Sequence, residues 1–217
     1  MRKIACVGYR GWALNIYKNL QKHTDLEFLI ISSKNEYSDN KIIDYDPDIV
    51  LFYGWSWLIS DTLIQKYTCL MLHPSPLPKY RGGSPIQNQI ISGEKLSMVS
   101  IFIINNKMDE GDIIGQAKYS LEGKLSSIFS RIEDAGTKLT LGIIKNGFTP
   151  VKQNHKDATY FKRRKPEESE ITIDEILTKD STFLNNKIRM LADPYPNAFI
   201  KTSDGKKLLI KESEIID

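Results

Sequence analysis

The stretch from Cys69 to Gln87, CLMLHPSPLPKYRGGSPIQ, limits what this chain can fold into more than any other. Its apolar opening, Cys69 to Leu72, reads as a buried strand of an α/β sheet. Pro74, Pro76, Pro78 and Pro85 then forbid helix and ladder pairing, because each fixes φ and removes a donor. Gly82-Gly83 allows a backbone that other residues adopt only at a cost, and Ser84-Pro85 reads as the N-cap and first position of a new helix. His73 is therefore expected where a strand gives way to a stiff loop, at the carboxyl edge of the sheet, where open α/β sheets bind ligands. A histidine at a strand end is often only a satisfied polar residue. A mere connector, however, has no need of four prolines.

The rest of the chain supplies the frame. Arg2 to Val7 reads as a first strand, followed by the turn Gly8-Tyr9-Arg10-Gly11-Trp12 and a helix from Ala13 to about Gln21. Glu27 to Ser32 and Asp48 to Tyr53 read as the next two strands, with a helix starting at Asp61 or Thr62. This order opens a doubly wound, mostly parallel α/β sheet. The turn holds only Gly8 and Gly11, short of a dinucleotide fingerprint, and reads as a tight bend feeding a helix. In the loop from Tyr53 to Ile59, Trp55 and Trp57 suit a flat ring ligand and equally suit a cover for the core.

After the central loop, a helix is expected from Pro85 to Ser92, strands over Ser97 to Ile104 and Ile114 to Tyr119, and a helix over Ser126 to Asn146. Asp109, in the turn between those strands, is a second candidate at a strand end. A basic linker, His155 to Lys165, and an acidic turn, Glu167 to Glu170, lead to one helix over Asp174 to Met190. Ala198 to Ile200 and Leu208 to Ile210 flank Ser203-Asp204-Gly205, a hairpin. A lone hairpin is too small to stand by itself, so it packs on the main domain or on a second copy. The expected division is residues 1–158 for the main domain and 159–217 for linker, helix and hairpin.

Composition excludes several classes. With 41% hydrophobic and 26% charged residues the chain is globular, not disordered. A net charge of +3 makes no case for a nucleic-acid partner, although it suits a small anionic substrate. Cys6 and Cys69 lie in apolar runs and read as reduced core thiols, which with the lack of a leader-like start points to the cytoplasm. No apolar run approaches the ~20 residues of a membrane span.

The motif from His73 to Gln87 resembles the active-site loop of the folate-dependent formyltransferases. Met108-Asp109-Glu110-Gly111-Asp112 is similar to that family's aspartate loop, Thr159 to Ser169 to the segment leaving its catalytic domain, and Pro194 to Phe199 to the start of its C-terminal subdomain. The resemblance implies a Rossmann-like domain that takes 10-formyltetrahydrofolate as co-substrate and passes its formyl group to a primary amine. It implies His73 and Asp109 as catalytic residues and needs no metal. It implies folate contacts from Tyr53, Trp55, Trp57, Leu58, Ile59, Asp109 and Asp112. Ser75, Lys79, Tyr80, Arg81, Gly82, Gly83 and Tyr160 are the implied contacts to the acceptor, with Arg81 suited to gripping phosphate.

One position departs from the pattern. The family has asparagine two residues before the histidine, as an oxyanion donor, and here Met71 cannot donate a hydrogen bond. Gln87, Asn88 and Asn106 are the candidates to replace it. Otherwise the chain is a non-catalytic sugar-nucleotide or folate-binding module on the same fold. Methionyl-tRNA formyltransferases are similar locally but carry a larger C-terminal domain than the roughly 50 residues after Arg164. Glycinamide ribonucleotide formyltransferases keep the asparagine and lack a segment like Tyr160 to Glu168. The remaining resemblance is to sugar N-formyltransferases, implying a dTDP- or UDP-linked 4-amino-4,6-dideoxysugar as acceptor, for surface polysaccharide or glycan synthesis. A homodimer built partly from the hairpin, with no nucleic-acid or membrane partner, completes the expectation; a methionyl-tRNA formyltransferase-like enzyme with a shortened C-terminus is the alternative.

Overall fold

Apolar runs of about five residues, separated by short amphipathic helices, bury completely only at the middle of a sheet covered on both faces. The computed structural model, which describes residues 2–216, builds that arrangement. In chain order come β1 (Lys3–Val7), α1 (Gly11–His23), β2 (Glu27–Ile31), α2 (Asp39–Tyr45), β3 (Ile49–Tyr53), α3 (Asp61–Lys66) and β4 (Thr68–His73). Then follow β5 (Arg81–Gly82), α4 (Pro85–Ile91), β6 (Leu96–Ile103), β7 (Ile113–Ser120) and α5 (Leu125–Asn146). The remainder holds β8 (Tyr160–Phe161), α6 (Ile173–Thr178), α7 (Ser181–Arg189), β9 (Ala198–Lys201) and β10 (Lys207–Ile210).

The main sheet runs β2-β1-β3-β4-β6-β7. The first four strands are mutually parallel, and β6 and β7 are added antiparallel beside β4. Alternation along β3 sends Leu51 and Tyr53 into the core under α1 and α5, and Val50 and Phe52 into the core under α2 and α3. The chain reverses direction between β1 and β3, so their carboxyl ends form the crevice typical of a doubly wound sheet. His73 ends the neighbouring strand. The doubly wound, mostly parallel expectation therefore holds.

Three expectations need correction. Ser84 does not cap α4: it lies in the left-handed region at φ 53 and makes no side-chain cap bond. Its hydroxyl accepts from the Arg164 amide instead. The single helix expected over Asp174 to Met190 is two helices, because the Asp180 carboxylate accepts from the Phe183 amide and restarts the helix. The basic segment is not all linker, since Tyr160–Phe161 pairs in parallel with Arg81–Gly82. The terminal hairpin forms over Ala198–Lys201 and Lys207–Ile210, burying Ala198 and Phe199 while Leu208 and Leu209 stay more than half exposed. No helix among the described residues is long and apolar enough to cross a membrane.

Candidate active site

His73 is placed by the proline loop behind it. Its carbonyl accepts from the Ser75 amide at 2.9 Å, and Ser75 in turn accepts from Leu77 at 2.9 Å, giving two tight turns in succession. Side chains from three elements hold the loop carbonyls: Gln89 and Tyr119 donate to Pro74 at 2.9 and 3.0 Å, and Ser100 to Ser75 at 2.6 Å. The loop is thus rigid by bonding as well as by ring constraint. His73 Nε2 donates to the Tyr80 carbonyl at 2.8 Å, which leaves Nδ1 facing the Asp109 carboxylate at 3.6 Å. Both side chains are buried to about nine-tenths, 8% and 9% exposed.

Asp109 is held from the opposite side. Its Oδ2 accepts from the Gly82 amide at 2.8 Å, so the glycine bend and the aspartate loop meet at the histidine. Tyr80, Ser84 and Asp109 all have positive φ, at 59, 53 and 55°. Each such non-glycine residue costs about 1–2 kcal/mol. Three around one histidine mark a site whose geometry is held at the expense of local stability.

Several expected contact residues serve the scaffold instead. Tyr53 is fully buried, stacked on Tyr17 and bonded to Thr140 Oγ1 at 3.0 Å, so its side chain is out of reach of a ligand. Trp55 is 7% exposed and packs in the core under α2 and α3. Ser75 is fully buried and spends its hydroxyl on the Lys79 carbonyl at 2.8 Å. Tyr80 stacks on Phe161 and donates to Glu94; burial, reinforced by that carboxylate, raises its pKa. Gly82 and Gly83 are there for the ribbon: a Cβ on either would come within 2.3 Å of the Phe161 carbonyl or the Arg163 backbone.

Arg81 is the largest correction. It is fully buried, and its guanidinium donates to Gln153 at 3.1 and 2.6 Å and to Tyr160, with Glu110 at 3.5 Å. A group so engaged cannot grip a phosphate. Tyr160 remains half exposed, its hydroxyl donating to Glu110 at 2.6 Å, and that bond, with Arg81 beside it, holds the Glu110 carboxyl below its usual pKa.

Of the proposed oxyanion donors, Asn88 is spent on the Gly83 carbonyl at 2.9 Å and Asn106 is exposed on its turn. Gln87, 4% exposed in the first turn of α4, keeps an amide that no other group among the described residues engages. Met71 is half-buried and packs with the core under α2 and α3. Asp112 is half-buried, with its carbonyl bonded to the Ile103 amide.

The open edge of the crevice carries Trp57, Leu58 and Ile59 after β3, of which Trp57 is 41% and Leu58 96% exposed. Trp57 packs against Tyr9 and Trp55, and Arg163 donates to Ser56 at 3.1 Å. Lys79 is exposed beside the site. Reading the sequence missed Gln153, which ties Arg81 to the aspartate loop, and Arg163. Arg163 lay within the segment read as a basic linker, and Gln153 had no local signal beyond lying a few residues before it.

A family described as Formyl transferase matches residues 16–141. The methionyl-tRNA formyltransferase of Ehrlichia chaffeensis is 30% identical over 186 residues, covering 83% of this chain and 58% of the relative. The chain thus spans about three-fifths of the length of such curated relatives. Among solved structures, a methionyl-tRNA formyltransferase from Clostridium thermocellum superposes with a TM-score of 0.85 at 30% identity, covering 97% of both chains. A 4-N formyltransferase from Francisella tularensis shares the fold at 21% identity and a TM-score of 0.76, covering 99% of both. So does HypX from Aquifex aeolicus in complex with tetrahydrofolic acid, at 19% identity, a TM-score of 0.78, and coverage of 95% of this chain and 36% of HypX.

Proposed function

The chain belongs to the formyl transferase family, and we propose that it moves a formyl group from 10-formyltetrahydrofolate to a primary amine. The observation that carries this reading is the buried His73–Asp109 pair, 3.6 Å apart at the carboxyl edge of the sheet. In the proposed reaction the amine attacks the formyl carbon, a C–N bond forms, and negative charge collects on the carbonyl oxygen. Collapse breaks the bond to the folate nitrogen, which takes up a proton while the amine gives one up. For His73 to move that proton or donate to the oxyanion, its Nε2 must exchange the bond to the Tyr80 carbonyl for one to the reacting group; such transfer typically contributes ~10²–10⁴-fold. Asp109, fixed by Gly82, holds the ring in place from its Nδ1 side. In this reading Trp57, Leu58, Ile59 and Asp112 line the folate side, and Lys79 with Tyr160 the acceptor side.

For the acceptor we favour a nucleotide-linked amino sugar. The same fold in a sugar N-formyltransferase from Shewanella sp, covering 100% of both chains, supports an amino-sugar acceptor. The second reading, methionyl-tRNA as acceptor, is supported by the 30% identity to methionyl-tRNA formyltransferases. Formyl transfer from 10-formyltetrahydrofolate, offered in parallel to dTDP- and UDP-linked 4-amino sugars and to methionyl-tRNA, tests both. Formylated sugar nucleotide supports the favoured reading; formyl-methionyl-tRNA alone replaces it; no transfer to any amine leaves the binding-module reading.

A further inference from the structure

Gln153 lies outside every motif that points to the site, yet its side chain is buried at the centre of it, 6% exposed. Its Oε1 accepts from Arg81 Nε at 3.1 Å and Nη2 at 2.6 Å. Its Nε2 donates to the carbonyls of Asp109 at 2.9 Å and Gly111 at 2.7 Å. The amide has one possible orientation, since only its oxygen can face a guanidinium and only its NH₂ can face two carbonyls. Arg81 is itself immobile: fully buried, bonded to Tyr160, and flanked by Glu110 at 3.5 Å and His155 at 3.4 Å.

A buried cation therefore fixes an amide, and the amide fixes the backbone of Asp109. That backbone needs fixing. Asp109 sits at φ 55, a conformation a non-glycine residue leaves readily unless its surroundings over-determine it. Gly82 restrains its carboxylate and Gln153 its main chain. We propose that Gln153 is a positioning residue for formyl transfer, locking the aspartate loop so that the Asp109 carboxylate faces His73. This inference rests on the formyl-transfer reading above.

Gln153→Glu separates the two halves of the contact. The carboxylate still accepts from Arg81, but both N–H donors are lost and an oxygen is turned against two carbonyls. Turnover should fall on the order of 10²-fold, the cost of displacing a catalytic group by about an ångström. Any rise in the KM for 10-formyltetrahydrofolate, through Asp112 next to the Gly111 carbonyl, should be much smaller than the fall in turnover. In an Asp109→Ala background the same substitution should have no further effect, whereas a merely structural role would add its cost there too. Gln153→Asn, neutral and one methylene shorter, provides the comparison if Gln153→Glu does not fold. The imidazole ¹⁵N signals of His73, one of three histidines and assigned by its loss in His73→Asn, should move in the folded variant. That readout needs no turnover, so an inactive wild type would defeat the formyl-transfer reading and still leave the loop's placement open to judgement. A folded variant with wild-type turnover, or with unmoved His73 signals, would overturn the inference.

Discussion

At the scale of single residues, the site depends on which polar groups are already committed. Arg81 and Asn88 carry the right chemistry for ligand contact, yet both are consumed by the scaffold. Gln87 is the buried amide left unengaged, while Met71 occupies the place where a donor is expected. If Gln87 supplies the missing donor, Gln87→Met should lower turnover by ~10²–10³-fold, the usual effect of deleting one oxyanion donor. Met71→Asn should then change little. Steady-state kinetics on the two variants check this, and a Gln87→Met enzyme with wild-type turnover would remove Gln87 from the mechanism. That His73 and Asp109 would meet was legible through the resemblance, since each alone reads as a polar residue near a strand end. Arg81's burial was not legible, since its partner Gln153 lies 72 positions later.

At the scale of elements, the two-residue ribbon of β5 and β8 is what joins the proline loop to the segment after residue 158. Gly83 lets the Arg163 backbone approach so closely that a methyl group would lie 2.3 Å from it. Gly83→Ala should therefore destabilise the fold by about 1–3 kcal/mol, as overpacking usually does, and urea unfolding measures it. An unchanged midpoint would show that the ribbon can open without cost. Parallel strands announced themselves as apolar runs, but two-residue strands have no periodicity to read, and α2 is too short and polar to stand out. The break between α6 and α7 was written in Asp180-Ser181, a cap signal outweighed by the helical pattern around it. Burial also perturbs the core thiols: it pushes Cys69 from 9.0 up to about 12, and Cys6 upward as well. The unfolded chain ionises these thiols first, so their contribution to stability is complete below pH 9 and is lost as pH rises from there. Urea midpoints at pH 8 and pH 10 should show this fall, and replacing Cys69 by Ala should reduce it. An equal fall in the variant would assign the effect to other groups.

At the scale of the whole molecule, the doubly wound sheet makes a crevice at β1 and β3, and the antiparallel β6 and β7 bring Asp109 round to the end of β4. The hairpin leaves Leu208 57% and Leu209 52% exposed, one on each face of β10, and the expected homodimer would cover at least one of them. Leu208→Lys with Leu209→Lys should shift sedimentation towards monomer, and an unchanged mass would take the hairpin out of any interface. The central claim, that an imidazole and a carboxylate meeting at that edge drive formyl transfer, is tested most directly by His73→Asn. The measurement is the rate of ¹³C-formyl transfer from 10-formyltetrahydrofolate to the amine substrate, with circular dichroism recorded on the same samples. The account predicts that transfer disappears while the spectrum is unchanged; a folded His73→Asn protein that transfers at the wild-type rate would contradict it.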